Sequence, residues 1–287
     1  MRILLAVDGS EQSCDAARGL EYLAPAEQVI LLHALDVLLP VYPMMVPEAV
    51  RDLRVIVERH LREEGERLLA RVAAMLPPRD GKVTTRMEIG SPAELIVATA
   101  EEERVDLVVV GARGGGAMHE LVLGSVSHRV LTHAPCPTLI VKGPLRSLRR
   151  VLLPVQEAED AEAALKFLSG RPFRDAVDVT VLSVLPLAQQ MWPEGAGNFD
   201  TFRETALANA RSFVESVAAR LSAMRYSAKG VARIGFPSLE IIHETMTTNA
   251  DLILMGSHGR RAISRFLLGS VSHAVIHRTT RPVLIFR

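Results

Sequence analysis

Gly111, Gly114, Gly124 and Ser125 recur as Gly256, Gly259, Gly269 and Ser270, each pair separated by the same 145 positions (111 to 256 and so on). Both copies read G-x-x-G-x9-G-S, and both contain the hexapeptide LGSVSH, at Leu123–His128 and Leu268–His273. An apolar run, Leu107–Val110 or Ile253–Met255, ends at the first glycine of each copy. Residues of these types suit phosphate. Gly111 and Gly114 can take positive φ and let the backbone approach a ligand where a Cβ would collide. Gly124-Ser125 then opens a helix, whose first N–H groups lack internal acceptors and, with the helix dipole, favour an anion. Ser125 can cap that helix or donate its hydroxyl to a phosphate oxygen. Charge-assisted bonds of this kind contribute about 1.5–3 kcal/mol each, so three or four would hold a triphosphate with micromolar strength. The alternative is that the glycines only form tight turns and the serines only cap helices. Repetition with every spacing preserved favours the ligand. There is no GxxxxGK[ST], no GxGxxG after the first strand and no HExxH, since His119-Glu120 and His243-Glu244 lack the second histidine.

Short apolar runs alternate with helical periodicities, the pattern of a parallel α/β sheet with helices on both faces. In the first half the strands read as Ile3–Val7, Val29–Leu35, Lys82–Met87, Leu107–Val110 and Thr138–Val141. The helical stretches between them lie near Gln12–Leu23, Glu48–Leu76, Ala93–Glu103 and Leu121–His133. The second half repeats the order with strands Val151–Val155, Val177–Leu185, Lys229–Ile234, Leu252–Met255 and Val283–Phe286. Its helices read as Ala161–Leu168, Phe199–Met224, Ser238–Thr247 and Ile263–His277. A chain of 287 residues with such a repeat is two tandem domains, placed at 1–143 and 150–287. In this arrangement the glycine loops lie at the carboxyl edges of the sheets, where α/β folds bind ligands.

With these motifs in both halves, the sequence resembles the universal stress protein family in its tandem form, and specifically its ATP-binding branch. The first half shows Asp8-Gly9-Ser10 after the first strand, Leu31–Val37, Gly90-Ser91-Pro92-Ala93-Glu94, the glycine motif and His133–Pro137. The second shows Gly235-Phe236-Pro237-Ser238, Gly256-Ser257-His258-Gly259-Arg260, Gly269-Ser270 and Arg281-Pro282-Val283. The resemblance implies two doubly wound five-stranded parallel sheets, each of strand order 3-2-1-4-5, of the adenine nucleotide alpha hydrolase-like type. It implies that Asp8 contacts the nucleoside of ATP, that Ala34 offers backbone groups to the adenine, and that Gly111, Gly114, Gly124 and Ser125 hold ribose and phosphates. It also implies pairing of family domains through the last strand, which a tandem chain can make internally, with a homodimer as a further assembly.

The halves differ at their first strands. Alignment puts Gln156 opposite Asp8 and Val184 opposite Ala34, while Arg260 and Arg261 replace Gly115 and Gly116. Both sites are expected to bind ATP or a related adenine nucleotide, with any Mg²⁺ brought by the triphosphate. The first would lean on nucleoside contacts and the second on phosphate contacts. His128 and His273 are expected to pack against the sheet. In the helix through Arg51–Arg71, Leu53, Val57, Leu61, Leu68 and Val72 are expected to turn inward. Cys14 reads as a helix residue without a redox role.

Charge is balanced, 33 basic against 33 acidic side chains, so no field-driven attraction to nucleic acid or anionic membrane is expected. Two cysteines without metal-ligand spacing, and no apolar stretch near a membrane span, suit a soluble cytoplasmic chain. Fast phosphoryl transfer needs a metal site and a group that positions the nucleophile, and no such spacing stands beside the motif. The expected function is therefore a nucleotide-dependent regulatory or stress-response module. A slow ATPase or phosphotransfer enzyme, and a scaffold with vestigial loops, are the competing readings.

Overall fold

Val-, Ile- and Leu-rich runs, too short for helices and apolar throughout, become parallel strands covered on both faces. The computed structural model describes residues 1–37, 47–78, 81–114, 123–186, 199–257 and 268–286. The chain divides into two units. One contains Met1–Glu21 and Pro25–Pro144, the other Tyr22–Ala24 and Leu145–Arg287.

In the first unit β1 (Arg2–Ala6), β2 (Gln28–Leu35), β3 (Lys82–Ile89), β4 (Leu107–Gly111) and β5 (Thr138–Val141) pair in parallel in the order β3-β2-β1-β4-β5. Their helices are α1 (Glu11–Gly19), α2 (Pro47–Met75), α3 (Pro92–Glu102) and α4 (Ser125–His133). The second unit repeats this with β6 (Arg150–Pro154), β7 (Asp178–Pro186), β8 (Ser227–Gly235), β9 (Leu252–Gly256) and β10 (Val283–Phe286), in the order β8-β7-β6-β9-β10. Its helices are α5 (Ala158–Ser169), α6 (Phe199–Ala223), α7 (Pro237–Thr247) and α8 (Ser270–Arg278). Each sheet therefore has the doubly wound order 3-2-1-4-5 in its own numbering. Strand order reverses beside β1 and beside β6, and that reversal opens a crevice at the carboxyl edge.

Local chemistry sets the boundaries. Pro92 and Pro237 start α3 and α7, where a missing N–H costs nothing. Both helices stop in the same way. Arg104 (φ 48°) and Asn249 (φ 49°) adopt the left-handed conformation, and the N–H of the residue after each returns to a carbonyl five positions back, Val105 to Ala100 and Ala250 to Thr245. Asp106 accepts the Arg2 N–H at 2.6 Å, tying β4 to β1. Its counterpart Asp251 accepts from the N–H groups of Arg149 and Arg150 and from the Ser147 hydroxyl, all at 2.8–2.9 Å. Burial pushes the Asp251 carboxyl up, but these donors outweigh burial and leave it below its usual range. The connector expected from Gly143 to Arg150 is thereby built into the second unit from Leu145 onward.

Three expectations need correction. Helix α5 starts at Ala158, three residues before the expected Ala161, because Glu157 takes the cap position and Asp160 reaches back to the preceding backbone. In α2 only Leu68 and Val72 of the five expected residues are buried; Leu53, Val57 and Leu61 are half-buried. The inward face is completed by Gly65, where an added Cβ would lie 2.5 Å from the Met87 sulfur. His128 and His273 are exposed, since the inward positions of α4 and α8 are Ser127, Val130 and Leu131 and Ser272, Val275 and Ile276. Cys14 lies buried in α1 and is a free thiol. Among the described residues, no helix is long and apolar enough to cross a membrane.

Candidate functional site

The first crevice is built by the segments leaving β1 and β4. After β1, Val7 N–H still bonds Leu32 O, and the chain then turns through Asp8 and Gly9, whose φ of +81° only glycine takes cheaply. Asp8 Oδ1 accepts from the Ser10 N–H at 3.0 Å and the Ser10 hydroxyl at 2.6 Å. Ser10 in turn caps α1 by accepting the Ser13 N–H, and its Oγ lies 3.3 Å from the Arg113 carbonyl. The two loops are thus held together at Ser10 and Arg113.

The glycines are required by close approach. A Cβ at Gly114 would lie 2.5 Å from Asp8 Oδ2, and one at Gly111 would meet Ser13 N at 3.0 Å. At Gly124 it would come within 3.3 Å of Ala112 O, the carbonyl that accepts the Gly124 N–H at 2.8 Å. The positive φ open to Gly111 and Gly114 is not used; among the described residues Gly9 and Gly90 are the positive-φ glycines. Gly124, not Ser125, is the cap of α4, with extended φ/ψ of −66° and 156°. Ser125 is the exposed first helical residue. The first helical bond runs from His128 N–H to Gly124 O, so the N–H groups of Ser125, Val126 and Ser127 precede it and have no helical acceptor among the described residues. Ala34, half-buried, lies on β2 two residues past Leu32, where the pairing with β1 ends. Asp8, Ala34, Gly111, Gly114, Gly124 and Ser125 therefore share one carboxyl edge.

Sequence reading passed over Ser127 and Ser272. Their buried hydroxyls donate to Gly111 O at 2.7 Å and Gly256 O at 2.8 Å, fastening each helix to the end of its strand. The signal was inside LGSVSH, two residues after the serine that was chosen.

The second crevice repeats the frame but not its contents. Gly269 N–H bonds Ser257 O at 2.8 Å, and Ser270 is again the exposed first residue of its helix. Val184 is buried in β7, and Gln156 is half-buried after β6. Gly259 and Arg260, together with Arg261, lie outside the described residues. Where the first unit has Gln12, the second has Asp160. Its Oδ2 accepts the Gln156 N–H at 3.3 Å, and its Oδ1 would lie 2.8 Å from a Cβ at Gly256.

The sequence profile of the universal stress protein family matches residues 1–142 and again 147–287. The chain belongs to that family. A universal stress protein of Mycolicibacterium smegmatis is 27% identical over 300 residues, covering 99% of this chain and 96% of its own. One from Methanocaldococcus jannaschii is 34% identical over 145 residues, 50% of this chain and 82% of the relative. The crystal structure of a universal stress protein from Archaeoglobus fulgidus superposes with a TM-score of 0.69 at 21% identity, covering 100% of this chain and 96% of that one, a likeness of fold.

The two universal stress protein repeats differ electrostatically. In the first, burial and the neighbouring Arg113 charge push the Lys142 ammonium down to about 8. Lys142 directly follows Val141, the residue paired with Gly111, so a compressed pair of cations stands by the loop. In the second, burial raises the Asp160 carboxyl, opposed by the N–H groups of Gln156 and Glu157 and reinforced by the charges of Glu157 and Glu159. Among the described residues, no group of three or more His, Cys, Asp or Glu side chains is placed to hold a metal ion.

Proposed function

We propose that this universal stress protein is an ATP-binding regulatory module whose nucleotide site is the crevice of the first unit. The observation that carries this reading is the meeting of Asp8 with Gly114, beside the open N-terminus of α4, at the strand-order reversal. The carboxylate is half engaged: Oδ1 is held by Ser10, while Oδ2 borders the space that the missing Gly114 side chain leaves. A ribose hydroxyl would donate to that oxygen, and the N–H groups of Ser125, Val126 and Ser127 would receive phosphate. Arg113 and Lys142 add the positive charge that a triphosphate needs. Ala34 would face the adenine through its backbone. The arrangement binds and orients, which is the work of a sensor; the free thiols Cys14 and Cys136 suit a reducing cytoplasm.

Equilibrium titration with ATP tests the site. Asp8→Ala removes one charge-assisted bond, about 1.5–3 kcal/mol, and is expected to weaken binding roughly 10- to 150-fold. Asp8→Asn keeps an acceptor for Ser10 and is expected to lose less. Unchanged affinity in Asp8→Ala, or no ATP bound by the unaltered protein, overturns the reading.

A further inference from the structure

The repeats share their strand order and the serine anchors of α4 and α8, so a residue that breaks the equivalence within a crevice is informative. Asp160 is that residue. It corresponds to Gln12, with Val151 corresponding to Ile3. In the first unit the ground over Gly111 is taken by neutral backbone, Ser13 N and Gln12 C, at 3.0 and 3.1 Å from an added Cβ. In the second unit the same ground over Gly256 is taken by a carboxylate oxygen at 2.8 Å. The other oxygen holds the N–H of Gln156, the residue standing where the first unit has Asp8. The cap residue Glu157 and the first-turn residue Glu159 precede it at the start of α5, so three acids gather where the first unit has Gly9, Glu11 and Gln12.

We infer that Asp160 is a selectivity residue: its carboxylate puts a negative charge beside Gly256 at the carboxyl edge, where the first unit has neutral backbone, so the second crevice rejects nucleotide phosphates and the chain binds one nucleotide, in the first unit. The inference rests on the reading of the first crevice as a nucleotide site. A fixed charge beside the end of β9 repels a phosphate chain entering the same crevice, and partial burial strengthens that repulsion because water screens it less. The consequence for a regulator is asymmetry: one repeat reports nucleotide while its copy, of the same fold, does not.

Calorimetric titration of the intact protein with ATP, and separately with adenosine, decides the matter. The unaltered chain is expected to bind one ATP, at a site weakened by Asp8→Ala. Asp160→Asn, which keeps an acceptor for the Gln156 N–H, is expected to bind two, the added site gaining roughly tenfold or more over any residual binding. Asp160→Gln installs the side chain of the first unit and serves as a second variant if Asp160→Asn does not fold. Adenosine, lacking phosphate, is expected to bind the unaltered and Asp160 variants alike. Two ATP bound by the unaltered protein, as Arg260 and Arg261 would favour, overturns the inference while leaving the first site standing. So does a stoichiometry that stays at one in folded Asp160 variants, or an equal gain for adenosine. If neither the unaltered nor the Asp160 protein binds ATP, the first-site reading itself fails and takes the inference with it.

Discussion

Lys142 illustrates how a single side chain can work against the fold and for a ligand. Its folded pKa of about 8 lies below the ordinary 10.5, so folding penalises the charged form. That penalty is present in full below pH 8, shrinks between the two values and is gone above the unfolded pKa. Lys142→Met should therefore raise the urea midpoint of the ligand-free protein at pH 7. The same charge attracts phosphate, so the variant should bind ATP roughly three- to tenfold more weakly at pH 7. In the unaltered protein, affinity should fall as pH rises through 8, and in Lys142→Met that slope should flatten. A parallel loss of stability and affinity would show instead that Lys142 is only a packing residue. At this scale the sequence was informative where residues repeat. Asp8 and the glycines could be placed because spacing and strand ends located them. Asp160 could not, because its meaning comes from a carboxylate crossing from α5 to Gly256, and its aligned partner Gln12 carries no motif. Of the two properties that glycine offers, close approach rather than positive φ is the one used at Gly111, Gly114 and Gly124.

Among the elements, strands were located within two residues because continuous apolar runs leave little choice of register. Helix phase was harder. His128 stands three residues after Ser125, but the inward face is set by Ser127, whose hydroxyl binds Gly111 O. One position of offset on a helix turns a side chain by about 100° and puts the histidines outside. His273 is accordingly exposed, its ring tilted against that of the half-buried His277 with centroids 4.3 Å apart. Helix ends offer a cleaner test. Arg104 closes α3 in the left-handed conformation, exposed and at a cost that glycine avoids. Arg104→Gly should stabilise the chain by about 0.5–1 kcal/mol, the gain in backbone fit exceeding the added unfolded-state freedom. Denaturant unfolding would measure it, and a drop in midpoint would mean that Arg104 makes contacts worth more than the strain.

For the molecule as a whole, 33 positive and 33 negative side chains leave no net formal charge near neutrality. Such a protein lacks self-repulsion and should be least soluble near pH 7 at low ionic strength. Binding ATP adds negative charge and should relieve that minimum, which precipitant titration with and without nucleotide would detect. A solubility minimum untouched by saturating ATP would count against charge uptake by the folded chain. The duplication also has a practical side. Ser127 and Ser272, Asp106 and Asp251, and Arg104 and Asn249 hold the two copies alike, whereas the turns after β1 and β6 have parted company. Grafting Val7–Cys14 onto Val155–Glu162 would transplant the acid, the turn and the helix cap together onto a scaffold whose anchors are already installed. The second repeat is in that sense a ready chassis, and a short cassette would suffice to refit it.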